Sequence, residues 1–177
     1  MRDISLHVLD IAMNSINAQT TLIEIEFIVT DDTYELTIKD NGKGMTEEEL
    51  QKVRDPFFTS RLTRKVGLGI PMLEQNVLKT NGHFEINSII NQGTIVEAVF
   101  NKHHIDCLPV GDMAETIISL IMIAPQIDYI IKLKSPKDEY ILNTQEIKEI
   151  LQDVEINNIN VISLLRKDLK IINKSLK

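Results

Sequence analysis

Apolar residues near the amino terminus recur at steps of three and four, the spacing that places side chains on one face of an α-helix. One such series is Leu6, Leu9, Met13 and Ile16, and a second is Ile4, Val8, Ile11 and Ala12. Asp3 is positioned to cap the first turn. The pattern predicts a helix over residues 3–18 that is buried on more than one side.

Alternating apolar and polar residues follow the helix and predict β-strands. Residues 23–29 and 34–38 alternate on either side of Asp31-Asp32, and residues 83–88 and 94–100 form a second pair. Because the strands come as hairpins separated by helices, the sequence predicts an α+β fold, with an antiparallel or mixed sheet and helices on one face. This architecture is a two-layer α/β sandwich.

Two helices and a long loop are predicted between the hairpins. Thr46 and the three glutamates after it predict a short helix to about Arg54, because a hydroxyl cap and early carboxylates satisfy the exposed amides. Residues 55–69 show no sustained period and predict a loop. A second helix is predicted over residues 70–79 and ends at Asn81-Gly82.

Residues 105–177 are predicted to form a smaller α+β domain of unassigned role, and residues 1–104 the main domain. A connector at residues 103–111, which contains Pro109, lies at this boundary. The predicted elements beyond it are helices at 112–124, 143–152 and 161–172 and short strands at 129–133 and 140–142.

Composition and charge narrow the classes of function. The 177-residue chain is 43% hydrophobic and 25% charged, which is typical of a soluble globular protein. Its net charge of −7 argues against a general nucleic-acid or membrane-surface binder, because both need an excess of Lys and Arg. The single Cys107 predicts no internal disulfide. Without a signal peptide or about 20 consecutive apolar residues, a cytoplasmic location is expected.

Three polar side chains on the first helix, Asp10, Asn14 and Asn17, fall on one side at about 100° per residue. They adjoin the apolar positions, and burying a carboxylate and two amides is unfavourable unless other groups pair with them. A metal ion and phosphates would be such partners. The alternative is that all three side chains face solvent.

Two glycine-containing segments could let a ligand approach the backbone. Asp40-Asn41-Gly42-Lys43-Gly44-Met45 follows a strand, and its glycines would allow a flat ligand to pass close to the main chain. Val66-Gly67-Leu68-Gly69-Ile70 comes directly before a helix, whose free amides and dipole favour phosphate. Neither segment is a complete P-loop or dinucleotide fingerprint.

Taken in order, these segments resemble the GHKL family of ATPases and kinases, which comprises gyrase, chaperone, histidine-kinase and MutL proteins. The motifs are D-x-x-x-N-S-I-N-A, D-N-G-K-G-M, D-P-F-F-T-S-R and V-G-L-G-I, with a later Gly93-Thr94. The resemblance covers about residues 1–104 and implies a Bergerat-type fold that binds ATP and Mg²⁺. The layout is similar to that of small stand-alone bacterial members with a short carboxy-terminal extension.

The resemblance implies a role for each matching residue around the base and the metal. Asn14 would be the magnesium ligand, because its amide oxygen is a hard donor suited to a hydrated cation. Asp40 would accept a hydrogen bond from the adenine amino group, and Thr94 would support Asp40 directly or through water. Gly42 and Gly44 would give the base room to lie flat.

The other implied contacts surround the phosphates. Gly67 and Gly69 would form the phosphate loop. Lys65, with Arg61 or Arg64, would reach the γ-phosphate from a lid at about residues 56–66. The remaining residues assigned to the nucleotide site are Asn17, Met45, Phe58, Thr59 and Leu68.

Asp10 occupies the position where the gyrase, MutL and serine-kinase branches have a glutamate, and histidine kinases usually an amide. A carboxylate suits water or serine as the attacking group, because both lose a proton as they attack. Aspartate is one methylene shorter, which puts its reach to a proton about 3 Å away in question. His7, one turn earlier, is interpreted as a packed or surface histidine.

Three functions are compatible with these residues. The favoured one is a stand-alone protein kinase, with Asp10 as the catalytic residue, that phosphorylates a partner protein in trans as anti-sigma-factor kinases do. The alternatives are an ATPase and a non-hydrolysing, ATP-gated signalling switch that binds a partner through residues 105–177. ATP and a protein are the expected partners, no nucleic acid or membrane is expected, and a homodimer is left open.

Overall fold

The structure, a computed structural model, describes residues 1–54 and 69–177. The strands are β1 (Leu22–Val29), β2 (Thr33–Asp40), β3 (His83–Ile89), β4 (Gly93–Asn101), β5 (Asp128–Lys134) and β6 (Glu139–Asn143). The helices are α1 (Ile4–Asn17), α2 (Glu47–Val53), α3 (Gly69–Lys79), α4 (Met113–Ile123), α5 (Thr144–Leu151) and α6 (Ile159–Ser175). Every helix and strand predicted within the described ranges is present. None of these helices is both long and apolar enough to cross a membrane.

All six strands belong to one mixed sheet in the order β3-β4-β2-β1-β5-β6. Strand β5 runs parallel to β1, and the other neighbouring strands are antiparallel. This confirms the predicted α+β class and the mixed sheet. Residues 105–177 contribute β5 and β6, so they extend the sheet of residues 1–104. The division into two domains at residue 104 stays a prediction, while the segments on both sides of it share one sheet.

The two faces of the sheet differ in burial, which produces the two-layer arrangement. On β1 the residues Ile23, Ile25, Phe27 and Val29 are all buried. The alternate residues Glu24 and Glu26 point to the opposite face, where they pair with Lys39 at 2.8 Å and Lys132 at 2.6 Å. Helices α1 and α3 contact the sheet, and α4 packs on α1. The helical layer therefore covers one face, and charged side chains occupy the other.

The more deeply buried face of helix α1 is the one that carries Ile4, Val8, Ile11 and Ala12, and not the one that carries Leu6, Leu9, Met13 and Ile16. Ile4, Val8, Ile11 and Ala12 are at most 3% exposed, whereas Leu6 is 40% exposed. The other members of the first series are partly buried. Because α1 contacts β2, α3 and α4, it is enclosed on several sides, as predicted. The helix is thus an internal support of the fold.

Candidate functional site

The last residue of β2, Asp40, carries a carboxylate that is only 7% exposed. Ser15 Oγ on α1 donates a hydrogen bond to Asp40 Oδ2 at 2.6 Å, and the amide of Gly42 donates to Oδ1 at 2.9 Å. Within the described residues Asp40 makes no ion pair, so these hydrogen bonds compensate for its burial. A carboxylate has about four acceptor positions, which leaves about two for a ligand.

Ser15 is not among the site residues predicted from the sequence. It continues the buried series of Ile4, Val8 and Ile11 at the same helical spacing, and it is 4% exposed. A hydroxyl in a buried apolar series needs a hydrogen-bond partner inside the protein. That mismatch between residue type and position is the signal that would have identified Ser15.

Thr94 lies opposite Asp40 in the register of β2 and β4. Its hydroxyl is 2.9 Å from Ser88 Oγ on β3, and Ser88 Oγ also accepts from the amide of Met45 at 2.9 Å. Ser88, which is not among the site residues predicted from the sequence, therefore links Thr94 to the loop after β2. The support of Asp40 by Thr94 stays a prediction.

The glycines of this loop are packed against protein atoms. A Cβ at Gly42 would lie 2.9 Å from the carbonyl oxygen of Ala18, at the end of α1. Gly44 has a φ of +63°, and a Cβ there would lie 2.0 Å from the carbonyl oxygen of Ile89. Side chains at these positions would push the loop away from α1 and from the β3–β4 turn. Their role in giving a base room stays a prediction.

Helix α3 begins directly beside Asp10 and Asn14 of α1. A Cβ at Gly69, the first residue of α3, would lie 1.7 Å from Asp10 Oδ2 and 3.7 Å from Asn14 Nδ2. Gly69 is buried, Asp10 is half-buried and Asn14 is exposed. The amino end of a helix favours anions through its unpaired amides and its dipole. The structure thus brings together the predicted base, the predicted magnesium ligand and the last glycine of the predicted phosphate loop.

The remaining predicted site residues are placed differently or lie outside the described ranges. Asn17 is exposed at the end of α1, and its side-chain amide donates to the carbonyl oxygen of Met13. The residues outside the described ranges are Phe58, Thr59, Arg61, Arg64, Lys65, Gly67 and Leu68, together with the lid at 56–66.

His7 is fully buried where α1 meets α3. Asn76 Nδ2 on α3 donates to His7 Nε2 at 2.9 Å, so the neutral imidazole carries its proton on Nδ1. Nδ1 is buried and has no hydrogen-bond partner among the described residues. Burial, reinforced by the positive amino terminus and opposed by Asp3, lowers the pKa of His7 from 6.5 to about 4. The packed interpretation of His7 is therefore confirmed.

The comparison with protein families identifies the class of this domain. The family described as "Histidine kinase-, DNA gyrase B-, and HSP90-like ATPase" matches residues 2–104, more than half of the chain. The chain therefore belongs to this family.

Two curated relatives show how much of a longer protein the chain resembles. It is similar to the sensor histidine kinase YvrG of Bacillus subtilis, with 32% identity over 90 residues that cover 49% of this chain and 16% of that protein. It is also similar to the anti-sigma F factor of Anoxybacillus flavithermus, with 33% identity over 88 residues that cover 49% of this chain and 55% of that protein. The chain thus spans less than two thirds of either relative.

A solved structure matches nearly the whole chain in fold. The ATPase domain of Aquifex aeolicus MutL, complexed with ADP, aligns with a TM-score of 0.54 over 99% of this chain and 97% of that domain. The sequence identity is 15%, so the likeness concerns the fold alone. It includes residues 105–177, which the family match at 2–104 does not reach.

The depressed pKa of His7 predicts a loss of stability in acid. Between pH 6.5 and about 4 the unfolded chain takes up a proton at His7 that the folded chain does not. The contribution of His7 is therefore fully present above pH 6.5 and falls by about 3 kcal/mol as the pH approaches 4. Urea unfolding at several pH values should show this decline in the parent protein and a shallower one in His7→Gln, which cannot titrate. Equal declines would contradict the assignment.

Proposed function

We propose that the chain binds ATP with Mg²⁺ between α1, the loop at residues 41–45 and the amino end of α3. The observation that carries this proposal is the buried carboxylate of Asp40, which is held by Ser15 and Gly42 and has acceptor positions left over. The amino group of adenine donates hydrogen bonds and could occupy these acceptor positions. A guanine carbonyl at the same place would set an acceptor against an acceptor, so the site should prefer ATP to GTP.

The residues at the other end of the site fit magnesium-bound phosphates. Asn14 is exposed, and its side-chain amide, whose oxygen could bind the cation, lies beside the amino end of α3, where Gly69 lacks the Cβ that would collide with Asp10. Among the described residues, His, Cys, Asp and Glu do not gather into a group of three that could hold a metal on its own. Mg²⁺ suits such a place, because it commonly takes one or two protein ligands and completes its shell with phosphate and water.

For the chemical step we propose transfer of a phosphoryl group to a partner protein. Bound ATP would supply the γ-phosphoryl group. Asp10 would accept the proton from an incoming serine or threonine hydroxyl, whereas a histidine acceptor would not need a base. The likeness to an anti-sigma F factor and to a sensor histidine kinase supports a protein substrate. The position of Asp10 beside the amino end of α3 supports its nearness to phosphate.

A second candidate is an ATPase or a non-hydrolysing switch that binds a partner through residues 105–177. The observation that favours the switch is the length of the side chain at position 10. The gyrase, MutL and serine-kinase branches of the family have glutamate there, and aspartate reaches one methylene less far into the site. A site that binds nucleotide with a base out of reach would retain ATP and signal by conformation alone.

The assignment of Asp40 predicts a selective loss of nucleotide affinity. Replacing Asp40 by Asn keeps the size of the side chain but removes a charged acceptor, which is worth about tenfold or more in affinity. Calorimetric titration should show weaker ATP binding and a smaller preference for ATP over GTP. Asp31→Asn, an equal charge change at an exposed turn, is the control and should bind as the parent does. Unchanged binding by folded Asp40→Asn would refute the assignment.

If Asp10 is the catalytic base, a variant at this position should lose phosphoryl transfer or hydrolysis while it still binds ATP. Incubation with γ-labelled ATP and a protein extract should label another protein if the chain is a kinase. Free phosphate would instead indicate an ATPase, and intact bound ATP a switch. Asp10→Asn should abolish transfer or hydrolysis and spare binding, while Asp10→Glu, which restores the longer carboxylate, should retain activity. Full activity in Asp10→Asn would exclude Asp10 as the base.

A further inference from the structure

Ser5 lies in the first turn of α1, and its amide, carbonyl oxygen and hydroxyl all form hydrogen bonds. Most of these bonds are made with residues 110–116. Its amide donates to the carbonyl oxygen of Val110 at 2.9 Å, and its carbonyl oxygen accepts from Thr116 Oγ1 at 3.2 Å. Its hydroxyl donates to Asp3 Oδ1 at 2.8 Å and accepts from the amide of Asp112 at 3.1 Å. Ser5 is 3% exposed. The start of α1 is therefore bonded, inside the protein, to the segment that begins α4.

The connector before α4 is packed closely against this first turn. The carbonyl oxygen of Pro109 accepts from the amide of Ile4 at 3.0 Å. Gly111 has a φ of +84°, and a Cβ there would lie 2.5 Å from both Asp3 Oδ1 and Ser5 Oγ. Any side chain would force the connector away. The connector thus supplies partners for amides that a helix leaves unpaired at its start.

The opposite end of α1 is fixed by other contacts. The amide of Lys43 donates to the carbonyl oxygen of Ala18 at 3.0 Å, and Ser15 holds Asp40 at 2.6 Å. Asp10 lies between the two fixed ends, about 7.5 Å along the helix axis from Ser5. Because these contacts hold the far end of α1, loss of the bonds at its first turn would let the helix tilt about that end, and Asp10 would move more than Ser15.

We propose that Ser5 is a positioning residue for the nucleotide site. By bonding to residues 110–116 it fixes the first turn of α1, and this sets where Asp10 and Asn14 lie relative to Gly69. The contact involves residues beyond the family match at 2–104. It therefore gives the carboxy-terminal segment a direct part in the geometry of the site. Its effect on ligand binding rests on the proposed function, whereas its effect on α1 does not.

Two variants of the full chain remove different bonds of this contact. Ser5→Ala removes the hydroxyl bonds, and Thr116→Val removes the bond to the carbonyl oxygen of Ser5 with little change of shape. Ser119→Ala is the matched control, because within residues 1–54 and 69–177 Ser119 Oγ bonds only to the carbonyl oxygen of Glu115 in its own helix, at 2.7 Å. Each protein is titrated with adenosine and with magnesium-bound ATP, below the onset of thermal unfolding.

The two ligands distinguish positioning from general damage. Adenosine reaches only Asp40, which lies at the fixed end of α1 and is also held by the amide of Gly42, so its affinity should stay within about twofold in both variants. The affinity for magnesium-bound ATP should fall about tenfold, because the turn of α1 that carries Asp10 and Asn14 would no longer fit against the amino end of α3 at Gly69. Equal losses for both ligands, or no loss for either, would overturn the proposal.

Amide hydrogen exchange provides a measurement that needs no nucleotide. In Ser5→Ala and Thr116→Val the amides from Asp10 to Asn14 should exchange faster than in the parent protein, while the amides of α3 should be unchanged. In Ser119→Ala the amides of both helices should exchange as in the parent protein. Unchanged exchange in α1 would overturn the proposal even if ligand affinities changed. A parent protein that binds neither ligand would refute the proposed function, and the exchange rates alone would then decide the role of Ser5.

Discussion

The hydrogen bond from Ser15 to Asp40 joins helix α1 to the end of strand β2 in the interior of the protein. Both side chains are buried, at 4% and 7% exposure, and the two oxygens are 2.6 Å apart. A bond to a charged group in such surroundings is strong, and losing it would leave a buried carboxylate short of a partner. The bond therefore fixes the orientation of the carboxylate. That orientation determines where a ligand must place its hydrogen-bond donors.

The same bond ties the two ends of the site together. Asn14 is the residue before Ser15, so the helix that holds the carboxylate also carries the amide placed beside Gly69 and the amino end of α3. An anion near Gly69 and a donor at Asp40 would thus be recognised by one rigid element. A nucleotide has both kinds of group. This is the physical basis for the proposal that these residues bind a nucleotide.

Helix α1 is also the element that connects the site to the rest of the fold. Its apolar series faces the core, His7 meets Asn76 on α3, and Ser5 bonds to the segment before α4. Strand β5 then lies parallel to β1 and continues the sheet. The carboxy-terminal segment consequently shares the support of the site, which agrees with a fold likeness that spans nearly the whole chain.

The elements of the fold could be predicted from the sequence, because they depend on local patterns, whereas the roles of the candidate site residues stay a prediction. Helical and alternating periods located the helices and strands, and Asp40, Asn14 and Gly69 stood in recognisable motifs. The parallel pairing of β5 with β1 could not be predicted, since it depends on contacts between residues about one hundred positions apart. Ser5 was missed for the same reason, because its partners at residues 110–116 are distant in the sequence, whereas Ser15 could have been found as a hydroxyl in a buried apolar series.

A crystal structure of the protein with Mg²⁺ and a nonhydrolysable ATP analogue would show directly whether Asp40 recognises the base. We expect the adenine amino group within hydrogen-bonding distance of Asp40, with Ser15 still bonded to the carboxylate, and the amide oxygen of Asn14 facing the cation beside Gly69. A site left empty at saturating analogue, or an adenine bound away from Asp40, would refute the role of Asp40.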